Sequence, residues 1–316
     1  MSRVAAIDIG TNSVRLLIAD EAGRELERPM RMTRLGQGVD VTGVLASDAI
    51  ERTLLVLRQY RELCAEHGVR RLRVTATSAA RDARNSAAFF DQAELALGVR
   101  PELLSGDQEA RLSFQGATAD LPRNAGPFLI MDIGGGSTEL VLGETEPEAL
   151  VSLQLGCMRM TERHLASDPP SAAELDACLA DVERSLGAAR AIDARRAQCV
   201  VGLAGTVTAL SAMQLGLARY DAKRTHHSTL TLAQVESAFL KLSAVSLLER
   251  RRLLVEPQRA DVIVGGAAVL LGCLRHFGIH ELLVSEHDIL DGLAASLGAL
   301  APRPGGTPTR TRPAGS

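Results

Sequence analysis

Tryptophan is absent from the 316-residue chain, and aromatic residues make up only 3% of it. Leu, Val, Ile and Ala must therefore build the core, and base- or sugar-stacking platforms are not expected. Lysine is nearly as scarce: of 35 basic residues only Lys223 and Lys241 are lysines. Positive charge is carried by arginine, whose planar fork suits phosphate, although a GC-rich genome produces the same bias. The formal net charge of −3 gives no global field for polyanions, so a phosphate chain would have to be held by a local patch, and nucleic-acid binding is not expected. The five cysteines (Cys64, Cys157, Cys178, Cys199, Cys273) are scattered, with no C-x-x-C pair. This excludes a disulfide framework or structural zinc site and fits a reducing cytosol, so a cytoplasmic protein is expected. No signal-peptide core precedes the strand pattern at Val4, and the longest apolar run, Val262 to Leu274, is too short for a bilayer. A membrane partner is not expected; association into a homodimer is left open.

What is present is an internal repeat. Residues 4–18 read VAAIDIGTNSVRLLI and residues 128–142 read FLIMDIGGGSTELVL. Without gaps, Asp8 falls on Asp132, Ile9 on Ile133, Gly10 on Gly134, Ser13 on Ser137 and Leu16 on Leu140. Each copy is an apolar strand, a turn of Gly, Ser, Thr or Asn, and a second apolar strand, which predicts two β-hairpins opening two similar domains.

Between the copies, helical spacing covers 46–67, a strand covers 69–76, and a helix runs to about Gly98 before a short strand into Leu104. Ser105-Gly106-Asp107 starts a helix to about Thr118, and DLPRNAGP at 120–127 reads as a linker. The second half predicts helices at 171–191, 231–243, 260–277 and 288–300, with strands at 198–203 and 280–285. The alternation is α/β. The expected domains are 1–122 and 126–301, the last helix able to pack back on the first domain, followed by a Pro-, Gly-, Thr- and Arg-rich disordered tail at 302–316.

The two turns suit phosphate. Glycine lets the backbone approach closely, and successive turn N–H groups form an anion-binding concavity. A carboxylate beside bound phosphate repels it unless a cation intervenes, so Asp8 and Asp132 point to Mg²⁺, with Mn²⁺ as the alternative ion. For a single copy, a tight turn whose Asp caps its own backbone explains the pattern as well. Gly202-x-x-Gly205-Thr206 lies between a strand and a helix, where a helix N-terminus could face an anion. His226-His227 resembles a metal pair without a third ligand at useful spacing, so a polar turn is the better reading, and His287 reads as a helix-start neighbour. No G-x-x-x-x-G-K-[ST], H-C-x₅-R, D-x-D after a strand or G-x-S-x-G occurs, so a P-loop and a covalent intermediate are not expected.

D8-I-G-T-N-S13, D132-I-G-G-G-S-T-E139 and G202-x-x-G-T206 together resemble the superfamily of actin, sugar kinases and heat-shock ATPases. S105-G-D-Q-E-A-R111, the full D132–L140 signature and four weaker stretches narrow the resemblance to the exopolyphosphatase / guanosine pentaphosphate phosphatase family, in its short two-domain form. These stretches are R34–G43, T75–N85, R259–G266 and S285–L293. The resemblance implies two ribonuclease-H-like domains around a cleft and hydrolysis of terminal phosphoanhydrides of polyphosphate or of guanosine pentaphosphate, the stringent-response nucleotide. It implies Glu109 as catalytic base and Asp132 and Glu139, with Asp8, as metal ligands. Arg81, Gly10, Thr11, Asn12, Ser13, Gly134, Gly135, Gly136, Ser137, Thr138, Gly205 and Thr206 are the implied substrate contacts. Two departures stand out: Gln108 where Glu is common, and Leu290 where Arg is common. The rivals are a sugar kinase, which should carry an Asp base in place of Glu109, and a non-catalytic nucleotide or polyphosphate sensor.

Overall fold

A computed structural model of the chain describes residues 3–298; the expected tail at 302–316 lies outside them. The first hairpin is β1 (Arg3–Ile9) and β2 (Ser13–Asp20), followed by the short strands β3 (Glu25–Glu27) and β4 (Met30–Met32). After α1 (Val39–Thr42) and α2 (Ser47–Glu66) come β5 (Val69–Ala76), α3 (Ser78–Asp82), α4 (Ser86–Leu97), β6 (Glu102–Leu103) and α5 (Gly106–Thr118). The sheet order is β3-β2-β1-β5-β6, with β4 also beside β2. β5 and β6 run parallel to the first strand, as helical crossovers require.

The second half repeats the plan with β7 (Phe128–Ile133), β8 (Thr138–Gly143), β9 (Pro147–Leu153), α6 (Cys157–His164), α7 (Ala172–Leu186), β10 (Cys199–Leu203) and α8 (Ala204–Gln214). It continues through α9 (Ala222–Thr225), β11 (Thr229–Thr231), α10 (Leu232–Ser243), α11 (Leu247–Leu253), α12 (Ile263–Phe277), β12 (Glu281–Val284) and α13 (Ile289–Ser296). Its sheet order is β11-β12-β10-β7-β8-β9. Among the described residues no helix is long and apolar enough to cross a membrane. The α/β class and both predicted hairpins hold; β3, β4 and α11 carry too few periodic residues to be read from sequence.

The two sheets exchange their last helices. α5 follows the first sheet but lays Ala110, Phe114 and Ala117 on Phe128, Ile130, Val141 and Val201 of the second. α13 follows the second sheet but lays Ile289, Leu290 and Leu293 on Val4, Ala6 and Leu17 of the first. Where the helices cross, glycine is required. A Cβ on Gly116 would overlap the Asp288 carbonyl, and one on Gly292 the Leu112 carbonyl. Backbone therefore packs on backbone.

Candidate active site

Both hairpin turns close with the same bond: the amide of Gly10 donates to the Ser13 carbonyl and that of Gly134 to the Ser137 carbonyl, each at 3.0 Å. The turns touch. A Cβ on Gly135 would stand 2.9 Å from Thr11 Cβ, and one on Gly136 2.6 Å from Ser78 Oγ. Behind the second turn, α6 draws its carbonyls backward: Cys157 N–H donates to Gly134 (3.0 Å) and Met158 N–H to Gly135 (2.9 Å). Arg159 Nε donates to the Gly136 carbonyl at 2.6 Å. Because each trans peptide points its N–H opposite its C=O, the amides of Gly135, Gly136 and Ser137 are turned away from α6. The turn is thus set as an anion nest.

Cross-strand register decides the charge beside each turn. Asp8 faces Arg15 across the first hairpin, whereas Asp132 faces Glu139 across the second. Arg15 Nη2 donates to Asp8 at 2.7 Å, and the same guanidinium also pairs with Asp288, so the first hairpin is neutralised. The second carries a like-charged pair, 7% and 1% exposed, supported only by hydroxyls: Ser113 Oγ donates to Asp132 (2.6 Å) and Ser152 Oγ to Glu139 (2.7 Å). Like charges directly opposite are destabilising. Burial, with repulsion from Asp288 and Asp8, raises the Asp132 carboxyl to about 6. Burial and then Glu109 and Asp132 hold Glu139 well above the usual carboxylate range. Asp8 is also raised by burial, against the pull of Arg15, and its Oδ1 is buried without a partner.

Glu109 occupies the first turn of α5. The capping box at this helix start is built by its neighbour. Ser105 N–H donates to Gln108 Oε1 (2.9 Å) and Gln108 N–H to Ser105 Oγ (3.2 Å). The missing charge at Gln108 therefore sits in a helix cap, and Glu109 is left to face the cleft. Its carboxyl is raised to about 7 by burial, which outweighs the Arg81 guanidinium at 2.6 Å.

A cavity of about 380 Å³ opens between the sheets, lined by Asp8, Gly10, Thr11, Asn12, Ser13, Glu109, Asp132, Gly134, Gly135, Gly136, Ser137, Gly205 and Thr206. Ala204, at the start of α8, holds a strained φ of 68° beside it. Three expected site residues stand behind the wall. Thr138 donates its hydroxyl to the Leu155 carbonyl (2.9 Å), Glu139 is buried, and Arg81 is engaged with Glu109 and the Leu104 carbonyl. Sequence reading missed Arg15, Arg28, Arg259, Tyr220 and Asp288, which also line the cavity. Of these, Arg15 had a signal as the repeat partner of Glu139, and Arg259 and Asp288 lie in two of the family-like stretches without having been singled out. Each lining arginine is already paired: Arg15 with Asp8 and Asp288, Arg28 with Glu25 and Asp291, Arg259 with Glu256. Leu290, where an arginine is common, lines the cavity as an apolar residue.

The histidines need a correction. Asp120, His226 and His287 are the one group among the described residues whose three potential metal-ligand atoms lie within 4.8 Å of one another; Asp8, Asp132 and Glu139 do not form such a group. The third partner missing from the sequence is supplied by Asp120, from the end of α5, and by His287. Asp120 Oδ2 lies 2.8 Å from His226 Nε2 and 3.0 Å from His287 Nδ1. Yet His226 Nδ1 accepts the Glu286 amide at 3.1 Å, which places the neutral ring's proton on Nε2. That nitrogen donates to Asp120 and has no lone pair for a cation. Although burial opposes it, bonds from His226 and His287 hold the Asp120 carboxyl well below its ordinary value. This is an interlocked hydrogen-bond cluster behind the Glu286 wall of the cavity.

Residues 17–297 match the Ppx/GppA phosphatase family. Exopolyphosphatase 2 of Mycobacterium tuberculosis is 44% identical over 94% of this chain and 99% of its own. The solved Ppx/GppA family member of Aquifex aeolicus superposes with a TM-score of 0.78 at 32% identity, covering 94% of this chain and 97% of that one. An exopolyphosphatase from Cytophaga hutchinsonii gives 0.87 at 26% identity, covering 94% and 98%. With its two matched hairpins, paired turns and buried carboxylates, the chain belongs to the Ppx/GppA phosphatase family.

Proposed function

We propose that this chain is an exopolyphosphatase, removing terminal phosphates from inorganic polyphosphate by attack of water and releasing orthophosphate. The observation that carries the reading is the buried, like-charged Asp132–Glu139 pair beside the second phosphate turn, with Glu109 on the facing helix. The 44%-identical exopolyphosphatase of M. tuberculosis supports it. The donor set fits Mg²⁺, or Mn²⁺. Asp8 Oδ1 is an orphaned buried oxygen, and the carboxylates do not converge three at a time, which suits an ion that keeps waters and phosphate oxygens. Asp132 and Glu139 would hold it, with Asp8 assisting, and when bound it would neutralise charge on the phosphate oxygens. The turn amides and the hydroxyl of Ser13 grip the terminal phosphate. Glu109, deprotonated, accepts a hydrogen bond from the attacking water and takes its proton. Arg81 exchanges Glu109 for the incoming phosphate. A cytoplasmic setting belongs to the same proposal and is supported by five free cysteines.

Guanosine pentaphosphate is the second reading. The cavity lining holds one aromatic ring, Tyr220, so it offers little stacking surface to a guanine base, which favours the inorganic chain. Orthophosphate release from both substrates at identical Mg²⁺ tests the choice, and faster release from the pentaphosphate reverses it.

Chain length follows from the paired arginines. Among the described residues, the three arginines that line the cavity, Arg15, Arg28 and Arg259, are each tied to carboxylates, and Leu290 stands on the wall, so the lining itself offers a long chain no unpaired arginine. Short polyphosphates are expected to be processed at least as efficiently as chains of hundreds of units, with intermediates accumulating on a gel. The measurement is kcat/KM across a ladder of lengths at fixed salt. Degradation of the longest chains without visible intermediates contradicts it.

A further inference from the structure

Arg159 has no place in the chemistry above, yet it is a charged side chain only 9% exposed at the seam between the two halves. It lies in the first turn of α6, on the second half. Its Nε donates to the Gly136 carbonyl at 2.6 Å, and its two terminal nitrogens pair with Asp40 and Asp82 of the first half. Asp40 opens α1, and Asp82 ends α3, one residue beyond Arg81. One guanidinium thus joins the phosphate turn of one half to two elements of the other.

The surroundings reinforce the bridge. Arg163, one turn further along α6, also binds Asp40 through Nη2 at 2.8 Å, and the amide of Gly38 donates to Glu162 at 3.1 Å. Burial works against the charge on Asp40, but Arg163 and Arg159 hold its carboxyl below the ordinary value. A lysine could supply one charge at this place, but not a fork reaching a carbonyl on one side and two carboxylates on the other.

We propose that Arg159 is a positioning residue that clasps the two halves together and, through the same planar group, fixes the peptide after Gly136 with its N–H facing the substrate. The two ends of the fork do separable work. The Asp40 and Asp82 ends favour the closed cleft, in which both phosphate turns meet one phosphoryl group. The Gly136 end holds an amide where charge develops during transfer. Loss of the first raises KM, because substrate binding must itself close the cleft. Loss of the second lowers kcat, because a donor aimed at the transition state is displaced.

The proposal rests on the exopolyphosphatase reading, and the test separates the two. Arg159→Lys keeps the buried charge and is expected to fold with a native circular dichroism spectrum. It should lower kcat on short polyphosphate about 10²-fold. Asp40→Asn combined with Asp82→Asn should raise KM about tenfold with kcat within about twofold of wild type. Both proteins, without substrate, should show a larger radius of gyration in solution scattering than wild type. Arg159→Lys with wild-type kcat, KM and scattering overturns the clasp, as does an equal loss of kcat in both variants. If wild type releases no orthophosphate from polyphosphate, the exopolyphosphatase reading fails, while the scattering comparison still decides for or against the clasp.

Discussion

Glu109→Gln is expected to bind polyphosphate with nearly native KM and to hydrolyse it about 10²–10⁴-fold more slowly, the range for removing a general base. The amide keeps the shape of the side chain and a hydrogen bond with Arg81, but cannot accept the proton of the attacking water. The pH profile gives a second readout. Burial, only partly offset by Arg81, raises the Glu109 carboxyl to about 7, and the side chain acts only when deprotonated. The wild-type rate should therefore climb as pH rises through about 7, and that climb should be missing from the variant. Activity within a few-fold of wild type, or an unchanged profile, removes Glu109 from the mechanism.

Asp132→Asn and Glu139→Gln should each raise the Mg²⁺ concentration needed for half-maximal rate by about tenfold or more. Stability shows the same effect without turnover. Both carboxyls are raised in the folded chain, so ionisation costs the folded state more than the unfolded one. The stability they contribute without metal is fully present at low pH and is lost as pH rises, for Asp132 through about 6. Mg²⁺ should accordingly raise the melting temperature more at pH 8 than at pH 5. Glu139→Gln, having lost one of the repelling charges, should melt higher than wild type in chelator at pH 8. Full activity in excess chelator, or an equal Mg²⁺ shift at both pH values, argues against a metal at this pair.

How much of this was legible depended on whether the signal was local. Asp8 and Asp132 could be found because a continuously apolar strand and a polar turn surround each, and because the pattern occurs twice in register. The start of α5 was equally legible from Ser105-Gly106-Asp107, although the residue that completes its cap, Gln108, appeared only in the structure. The opposite charge of Arg15 and Glu139 was present in the repeat too, but became an argument only when register placed each across from an aspartate. Arg159 and Asp120 had no such pattern, and the stretch that holds His287 and Asp288 did not say what they touch. Their partners come from distant segments, and an isolated arginine or histidine in a helix or loop reads as a solvated charge. Sequence allowed the last helix, α13, to pack back on the first domain but gave no such pointer for α5, because burial leaves the same periodicity whatever the partner.

The exchanged helices make the molecule behave as two plates on a common axle. At the crossing of α5 and α13, Gly116 and Gly292 let main chain rest on main chain. A rotation of one sheet relative to the other would turn most easily about this close-packed helix pair. Glu109 stands at the cleft end of α5, and Asp288, which grips Arg15, caps the start of α13. Such a rotation would displace Glu109 and Asp288 least, because both are mounted on the helix pair itself.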